Sequence, residues 1–215
     1  MVSVYSASSG LSSASQINRN DRLQTKSLNQ VASGKAINKA SDNAAGLAIA
    51  TALMSDVSAL KQSSTNLVQG SAVLQTADGA LEQAGNILNR MKELSTQANS
   101  GALDNNSRTA INDEYQNLKT ELDNLSTQTT FNGQQLLNGT YNQNYQAGTN
   151  ASDTVNADLS ALDVSANGLG LTAANGNNAN ALSSQASAAA TSNELDAAIN
   201  NLSGYRAQVG AISSE

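Results

Sequence analysis

The reactive side chains of this chain leave little scope for catalysis. Its 215 residues include no His and no Cys. Without Cys there is no thiol nucleophile, disulfide or zinc finger, and without His the commonest general base and metal ligand is missing. The best-placed remaining groups are the carboxylates of Asp113, Glu114 and Glu121. On a helix Glu114 and Glu121 lie two turns apart, about 10 Å, which favours an ordinary solvated face over an acid/base pair.

Two glycine motifs also fail as phosphate-binding loops. Gly34-Lys35 is followed by Ala36 rather than Ser or Thr, and no Gly stands five residues before Gly34. Gly168-x-Gly170 lacks the third Gly, the preceding strand and the following helix of a dinucleotide site. We therefore expect a protein that is not an enzyme and that carries neither a cofactor nor a metal.

Charge and composition limit the classes of partner that the chain is expected to bind. The chain has 11 Lys and Arg against 17 Asp and Glu, a net charge of −6, and no cation stands between Lys119 and Arg206. Nucleic acid is therefore not an expected partner. No apolar run approaches the roughly 20 residues that cross a membrane, and residues 1–30 are rich in Ser, Asn and Gln rather than signal-like. Composition thus predicts no membrane insertion, and either a cytoplasmic protein or one exported without a cleaved signal peptide.

The elements that carry these residues are predicted to be helices. The chain contains no Pro, so long helices can run without a break. The helical pattern runs from about residue 44 to 99, and within it Leu recurs at six successive seventh positions. This predicts a helix about 80 Å long, packed against other helices in coiled-coil fashion. Asp42 is its candidate N-cap. A packing seam explains this stripe better than a cofactor-binding face does. The stripe comprises Leu53, Leu60, Leu67, Leu74, Leu81 and Leu88.

Two more helices are predicted to pack against the first. Ser100-Gly101 ends the long helix, and a second helix runs from one of several N-caps at residues 104–107 to about Gln128. Because the connection is short, this helix is antiparallel to the first. The last helix is predicted to begin at the capping box Thr191-x-x-Glu194. Its seven-residue seam is Leu195, Leu202 and Val209.

The segment between these helices has a different pattern. Asn132-Gly133 and Asn138-Gly139 are turn dipeptides, and residues 141–147 and 154–159 are predicted to be short strands. The sequence therefore predicts a mainly α fold, an elongated antiparallel helical rod with a small β-hairpin region. The expected segments are a polar N-terminal arm at 1–42 that is disordered in the monomer, a helical rod at 43–130 and 186–215, and a hairpin and loop segment at 131–185.

Several motifs resemble those of bacterial flagellins and occur in the order in which the family carries them. They are Ser33-Gly34-Lys35-Ala36-Ile37-Asn38, Ala40-Ser41-Asp42-Asn43-Ala44-Ala45-Gly46-Leu47-Ala48-Ile49-Ala50, Arg90-Met91-Lys92-Glu93-Leu94-Ser95-Thr96-Gln97-Ala98, Gln128-Thr129-Thr130-Phe131-Asn132-Gly133 and Arg206-Ala207-Gln208-Val209-Gly210-Ala211-Ile212. Ala36 and Asn43 stand where the family usually has Arg and Asp. The family's segment after Ile212 and its large variable outer region are absent, so the chain resembles a short flagellin truncated at its C-terminus.

The resemblance implies a structural subunit of the flagellar filament. Such a subunit is secreted by the flagellar export machinery without a cleaved signal peptide, and it polymerises with other flagellin subunits at the filament cap. The resemblance also implies contact with the Toll-like receptor of innate immunity that senses flagellin, through Arg90, Leu94 and Glu114 with Gln97 nearby. The residues alone allow a simpler interpretation, a surface ion pair between Arg90 and Glu114.

Two other functions stay open at this point. The hook–filament junction protein shares the terminal helices, although the motifs at 42–46 and 131–133 favour flagellin. A cell-surface protein that binds polysaccharide would use the Asn- and Gln-rich loops at 138–150, with Tyr141 and Tyr145 stacking on the sugars. An enzyme that works with carboxylates or Ser but without His is disfavoured.

Overall fold

The computed structural model describes residues 2–171 and 181–214, with side chains from residue 10 onward. The chain divides into two compact units, Met1–Ala59 and Leu60–Glu215. The prediction of a mainly α fold with a small hairpin region is confirmed. The helices are α1 (Val2–Ser33), α2 (Ala44–Ala98), α3 (Asn105–Gln128) and α4 (Gln185–Ser213), and the strands are β1 (Thr130–Phe131), β2 (Gln134–Gln135), β3 (Asn142–Gln146) and β4 (Thr154–Asp158).

Capping fixes the start of α3 and its direction against α2. The side chain of Asp104, one of the N-caps that the sequence offered, accepts a hydrogen bond from the backbone N–H of Ser107 at 2.9 Å. One turn later, Arg108 donates to the carbonyls of Ala98 at 3.0 Å and Ser100 at 2.9 Å. This cation thus binds the last carbonyl of α2 and one carbonyl of the turn that follows it. The two helices are antiparallel, also as predicted.

The N-cap of α2 differs from the prediction. Asn43 accepts the backbone N–H of Gly46 at 2.9 Å with its side-chain oxygen, so Asn43, not Asp42, caps the helix. The carboxylate of Asp42 instead forms an ion pair with Lys26 of α1 at 2.9 Å. Asp and Asn are both good N-caps, so local sequence could not choose between neighbours without knowing that Lys26 lies close to one of them.

The start of α4 also differs. The helix is capped by Ser184, whose side chain accepts the backbone N–H of Ser187, while the Ser187 hydroxyl is bonded back to the Ser184 backbone. The predicted capping box at Thr191 is wrong because that residue lies nearly two turns inside the helix. The buried hydroxyl of Thr191 donates to the carbonyl of Ala181 at 3.0 Å, so it holds the preceding chain against the helix.

In the second unit, α3 and α4 both run antiparallel to α2. Ser95 donates to the carbonyl of Ala188 at 2.9 Å, and Arg206 pairs with Asp78 at 3.1 Å. The end of α2 therefore lies beside the start of α4, and an earlier part of α2 lies beside the later part of α4. Six residues of the two predicted leucine seams are buried in the resulting core: Leu74, Leu81, Leu88, Leu195, Leu202 and Val209.

The first half of the α2 seam is not buried, contrary to expectation. Leu53 is 58% exposed, Leu60 51% and Leu67 38%. A seven-residue repeat shows which face of a helix is apolar, but burial also needs a partner on that face. In the described residues Leu53 and Leu60 stay more than half exposed, and Leu67 is covered only in part.

Two antiparallel hairpins follow α3. β1 pairs with β2 around Asn132-Gly133, where both residues have positive φ angles of 50° and 79°. β3 pairs with β4 from Asn142 opposite Asp158 to Gln146 opposite Thr154. The predicted strands at 141–147 and 154–159 agree with these bounds to within one residue.

A second layer of core was not predicted. Leu162, Val164, Leu169 and Leu171 lie in the loop after β4, and all four are buried. Polar side chains of α3 bind the backbone of the segments that follow this helix. Asp123 accepts from Ala166 N at 2.8 Å, Lys119 donates to Leu171 O at 2.8 Å, and Ser126 donates to Leu137 O at 2.8 Å. Residues 172–180 of the predicted hairpin and loop segment lie outside the described residues.

Candidate interaction surfaces

Three of the four predicted receptor residues are exposed in the second unit. The Arg90 guanidinium donates to Glu114 through Nη2 at 2.7 Å and Nε at 3.0 Å, and to Glu93 through Nη1 at 3.0 Å. Glu114 first and Glu93 second raise the pKa of Arg90 above its usual value. Gln97 is exposed on α2 about two turns after Arg90. The structure thus brings Arg90 and Glu114 together, as the pattern of charges suggested.

Leu94 does not belong to this exposed surface. Its side chain is 1% exposed and lies in the core. The spacing of four residues from Arg90 to Leu94 places both on neighbouring sides of α2, but the seam that faces α3 and α4 includes Leu94. Conversely, Glu93 was missed, although its place three residues after Arg90 is a recognised spacing for a helical ion pair. We call Arg90, Glu93, Gln97 and Glu114 the charged patch.

A second candidate surface is apolar and lies in the first unit. Large apolar side chains there are more than half exposed, so they are available to a partner. We call them the apolar set. They are Leu11, Ile17, Leu23, Leu28 and Val31 on α1, and Ile49, Leu53, Met54 and Val57 on α2.

The apolar residues at the start of α2 have a second consequence. Among the described helices, α2 is the one that is long and apolar enough to cross a membrane. It contains an 18-residue window with a mean hydropathy of 1.3, none of it buried. Length and composition alone support this assignment, and a helix that buries one apolar face against other protein subunits meets the same criteria. The expectation of no membrane insertion stays a prediction.

An apolar groove of about 260 Å³ lies in the second unit. It is bounded by Leu67 and Leu74 of α2, Tyr145 and Val155 of the second hairpin, and Ile212 near the end of α4. A Cβ atom on Gly70 would stand 3.3 Å from the Tyr145 ring. The absence of a side chain at residue 70 therefore lets the hairpin pack directly against α2.

The aromatic pair predicted to stack on sugars is used inside the protein. Tyr141 is 5% exposed, and its hydroxyl lies 2.6 Å from the hydroxyl of Tyr145. Burial first, and the bond to Tyr145 second, raise the pKa of Tyr141 well above its usual value. Since the Tyr141 ring is covered and Tyr145 lies against Gly70, the expected stacking platform for a polysaccharide is not formed.

The carboxylates of α3 do not converge on a site. Glu114 is held by Arg90, and Asp113 and Glu121 are exposed. Over residues 2–171 and 181–214 no group of three or more Asp and Glu side chains is arranged to hold a metal ion.

Comparison with known proteins identifies the family of this chain. The family described as bacterial flagellin N-terminal helical region matches residues 4–142. Phase 1 flagellin of Salmonella naestved and flagellin of Salmonella enteritidis are each 34% identical over 189 residues. That alignment covers 88% of this chain but 35% of each relative, so the chain spans about a third of their length.

A solved structure supports the same assignment. The crystal structure of Bacillus cereus flagellin superposes with a TM-score of 0.59 at 27% identity, covering 69% of this chain and 82% of that one. These matches favour flagellin over the hook–filament junction protein and confirm the resemblance seen in the motifs. Because the family match covers more than half of its residues, this chain belongs to the bacterial flagellin family.

Proposed function

We propose that the chain forms part of a structural subunit of the bacterial flagellar filament and polymerises with other flagellin subunits. The observation that carries the proposal is the apolar set, which α1 and the first half of α2 expose in a protein of this family. Burying each large apolar side chain stabilises an assembly by about 1.5–3 kcal/mol before the cost of ordering is subtracted. Neighbouring subunits are the proposed cover.

The N-terminal arm, residues 1–42, supplies the coupling between folding and assembly in this proposal. Every described side chain from Gly10 to Asn29 is exposed, so α1 gains little from packing in the free chain. A helix of this kind is unstable by itself in water. We therefore propose that the arm is disordered in the monomer and folds on the filament, which also suits passage of an unfolded chain through the export machinery to the filament cap.

Secretion to the bacterial surface without a cleaved signal peptide completes the proposal. The segment before α2 has the polar composition noted above, and the chain has no Cys to form disulfides on leaving the cytoplasm. The flagellin family supports the flagellum as its destination.

The test is complementation of a motile bacterium that lacks its own flagellin, with filaments counted by electron microscopy. The complete gene that encodes this chain should restore filaments, and Leu53→Asp should abolish them by placing a charge in the subunit contact. Ser55→Asp is the matched control, because it adds the same charge to α2 at an exposed position outside the apolar set. Equal filament yields from the two variants would contradict the proposed contact.

A second proposed partner is the flagellin-sensing Toll-like receptor. Its support is the charged patch, in which an exposed Arg is held in a fixed orientation by two carboxylates. Arg residues are enriched among the residues that dominate binding energy. The buried Leu94 would contribute only by shaping α2 beneath this patch.

A further inference from the structure

The loop between α1 and α2, residues 34–43, folds back onto the last two turns of α1. Asn38 donates from its side chain to the carbonyl of Asn29 at 3.0 Å and accepts from the Ser33 hydroxyl at 2.9 Å. Gln30 donates to the carbonyl of Ala36 at 2.6 Å. These bonds make the connection a defined corner, since the loop carbonyls and the end of α1 find partners in one another.

Asp42 lies at the centre of this corner. One carboxylate oxygen binds the Lys26 ammonium of α1 at 2.9 Å, while the other accepts the backbone N–H groups of Asn38 at 3.4 Å and Lys39 at 3.3 Å. Its side chain is 15% exposed, against 46% for Lys26. The carboxylate therefore joins the helix to the loop through a single group. It is free to do so because Asn43 caps α2.

The surrounding charges favour the ionised form of Asp42. The corner borders a cleft of about 550 Å³ whose charged lining residues are Asp21, Arg22 and Lys26 on α1, and Lys39 and Asp42 on the loop. Three cations thus face two carboxylates, and no residue of α2 is among the cleft's lining. The bond from Lys26 is the main cause that holds the pKa of Asp42 below its usual value, and the N–H groups of Lys39 and Asn38 act in the same direction.

We propose that Asp42 is a positioning residue for assembly. Its ion pair with Lys26, which we call the clasp, binds the loop to α1. The clasp thereby fixes the direction in which the N-terminal arm leaves the corner. This inference rests on the proposed filament function, because the arm's direction matters when the apolar set must meet neighbouring subunits. In the simpler alternative, Lys26 and Asp42 form a surface ion pair that affects neither assembly nor its dependence on pH.

The test uses three variants in the filament-forming strain. Asp42→Asn keeps a side-chain acceptor for the loop but loses the ion pair, and Lys26→Gln removes the same pair from the other side. Asp21→Asn is the control, since Asp21 lines the same cleft without an ion pair in the described part of the chain. We expect filaments from wild type and Asp21→Asn at concentrations at which Asp42→Asn and Lys26→Gln stay unpolymerised. The double variant at 26 and 42 should be no worse than either single variant.

A pH profile separates the clasp from a general loss of stability. Sedimented polymer should decrease for wild type and Asp21→Asn as pH falls through the lowered pKa of Asp42, because protonation breaks the ion pair. Polymer formed by Asp42→Asn at raised protein concentration should lack that step. Yields and profiles of Asp42→Asn equal to those of Asp21→Asn would overturn the clasp.

If wild type itself forms no filament, the filament function fails together with the coupled folding of the arm, and the clasp is then tested in the free chain, with α1 and its loop folded as in the structure. Amide hydrogen exchange at Asn38 and Lys39 should then be slower in wild type and Asp21→Asn than in Asp42→Asn. Equal exchange in all three would overturn the clasp as well.

Discussion

Arg90 and Glu114 are joined across the antiparallel pair of α2 and α3 by two hydrogen bonds to one carboxylate oxygen, 2.7 Å from Nη2 and 3.0 Å from Nε. Both side chains are about half exposed. Solvent therefore screens the attraction, and exposed pairs of this kind contribute little to stability. The geometry does restrict where the guanidinium points, which matters more for a partner that binds this surface than for the fold.

We expect Arg90→Ala to lower receptor signalling roughly 30-fold or more, if Arg90 is a binding hot spot. The thermal melt followed by circular dichroism should stay nearly unchanged, because the removed pair is exposed. Glu93→Gln and Glu114→Gln should each weaken signalling less than Arg90→Ala, since either leaves one carboxylate to orient the Arg. A reporter-cell assay on purified monomer makes the comparison.

The matched control is Arg22→Ala, which removes an exposed cation from α1, far along the sequence from the charged patch. It should leave signalling as in wild type. Equal signalling from wild type and Arg90→Ala would favour the surface ion pair as the whole role of Arg90. Absence of signalling by wild type at micromolar concentration would exclude the receptor as a partner of this protein.

The leucine stripe of α2 gives a second prediction. Leu81→Ala should lower the free energy of unfolding by about 2–5 kcal/mol, because Leu81 is fully buried between helices. The same change at Leu53, which is mostly exposed, should change it by about 0.5 kcal/mol or less in the monomer. Urea titration of both variants measures the difference. Similar losses would mean that the first half of α2 is covered in the free chain.

The pattern of apolar residues predicted the helices well but could not predict their partners. Leu53 and Leu81 occupy equivalent places in the repeat, yet one is exposed and the other buried. Likewise Asp104 was identified as one of several possible caps, and the choice among them depends on which N–H groups are free. Ser184 was missed because Thr191 and Glu194 fit the better-known capping pattern.

The residues of the charged patch could also be predicted only in part from the sequence. Family motifs pointed to Arg90, Leu94 and Glu114, but only the packing of three helices shows that Leu94 faces the core. Glu93 could have been found from its helical spacing to Arg90. The pairing of Asp42 with Lys26 could not be found, because Asp42 lies in the loop after α1 and no helical spacing relates the two residues.

Two buried tyrosines predict how stability depends on alkaline pH. Burial raises the pKa of both Tyr115 and Tyr141 well above the usual value, with Glu194 adding to the effect at Tyr115 and Tyr145 at Tyr141. The unfolded chain releases these protons near pH 10, whereas the folded chain retains them. Stability is therefore fully present below about pH 10 and decreases as the pH rises further.

Denaturant titrations at several alkaline pH values, with tyrosinate absorbance as a second probe, measure this decline. Tyr141→Phe should make it less steep, because one fewer proton is released on unfolding. An identical slope for wild type and Tyr141→Phe would show that the Tyr141 hydroxyl ionises equally well in the folded protein.

The last prediction concerns the unpredicted layer of core after α3. Ser126 is 2% exposed and donates its hydroxyl to the carbonyl of Leu137 at 2.8 Å. Ser126→Ala removes one of two bonds to that carbonyl, which keeps the backbone N–H of Val164 at 3.0 Å, and should lower the free energy of unfolding by about 0.5–1.5 kcal/mol. Thr127→Ala is the matched control, because the exposed Thr127 hydroxyl bonds to carbonyls of its own helix, at Asp123 and Asn124. Urea titration should show a loss for Ser126→Ala that is clearly larger than for Thr127→Ala. Equal losses would mean that the segment after α3 is held by its buried leucines, without help from the polar face of the helix.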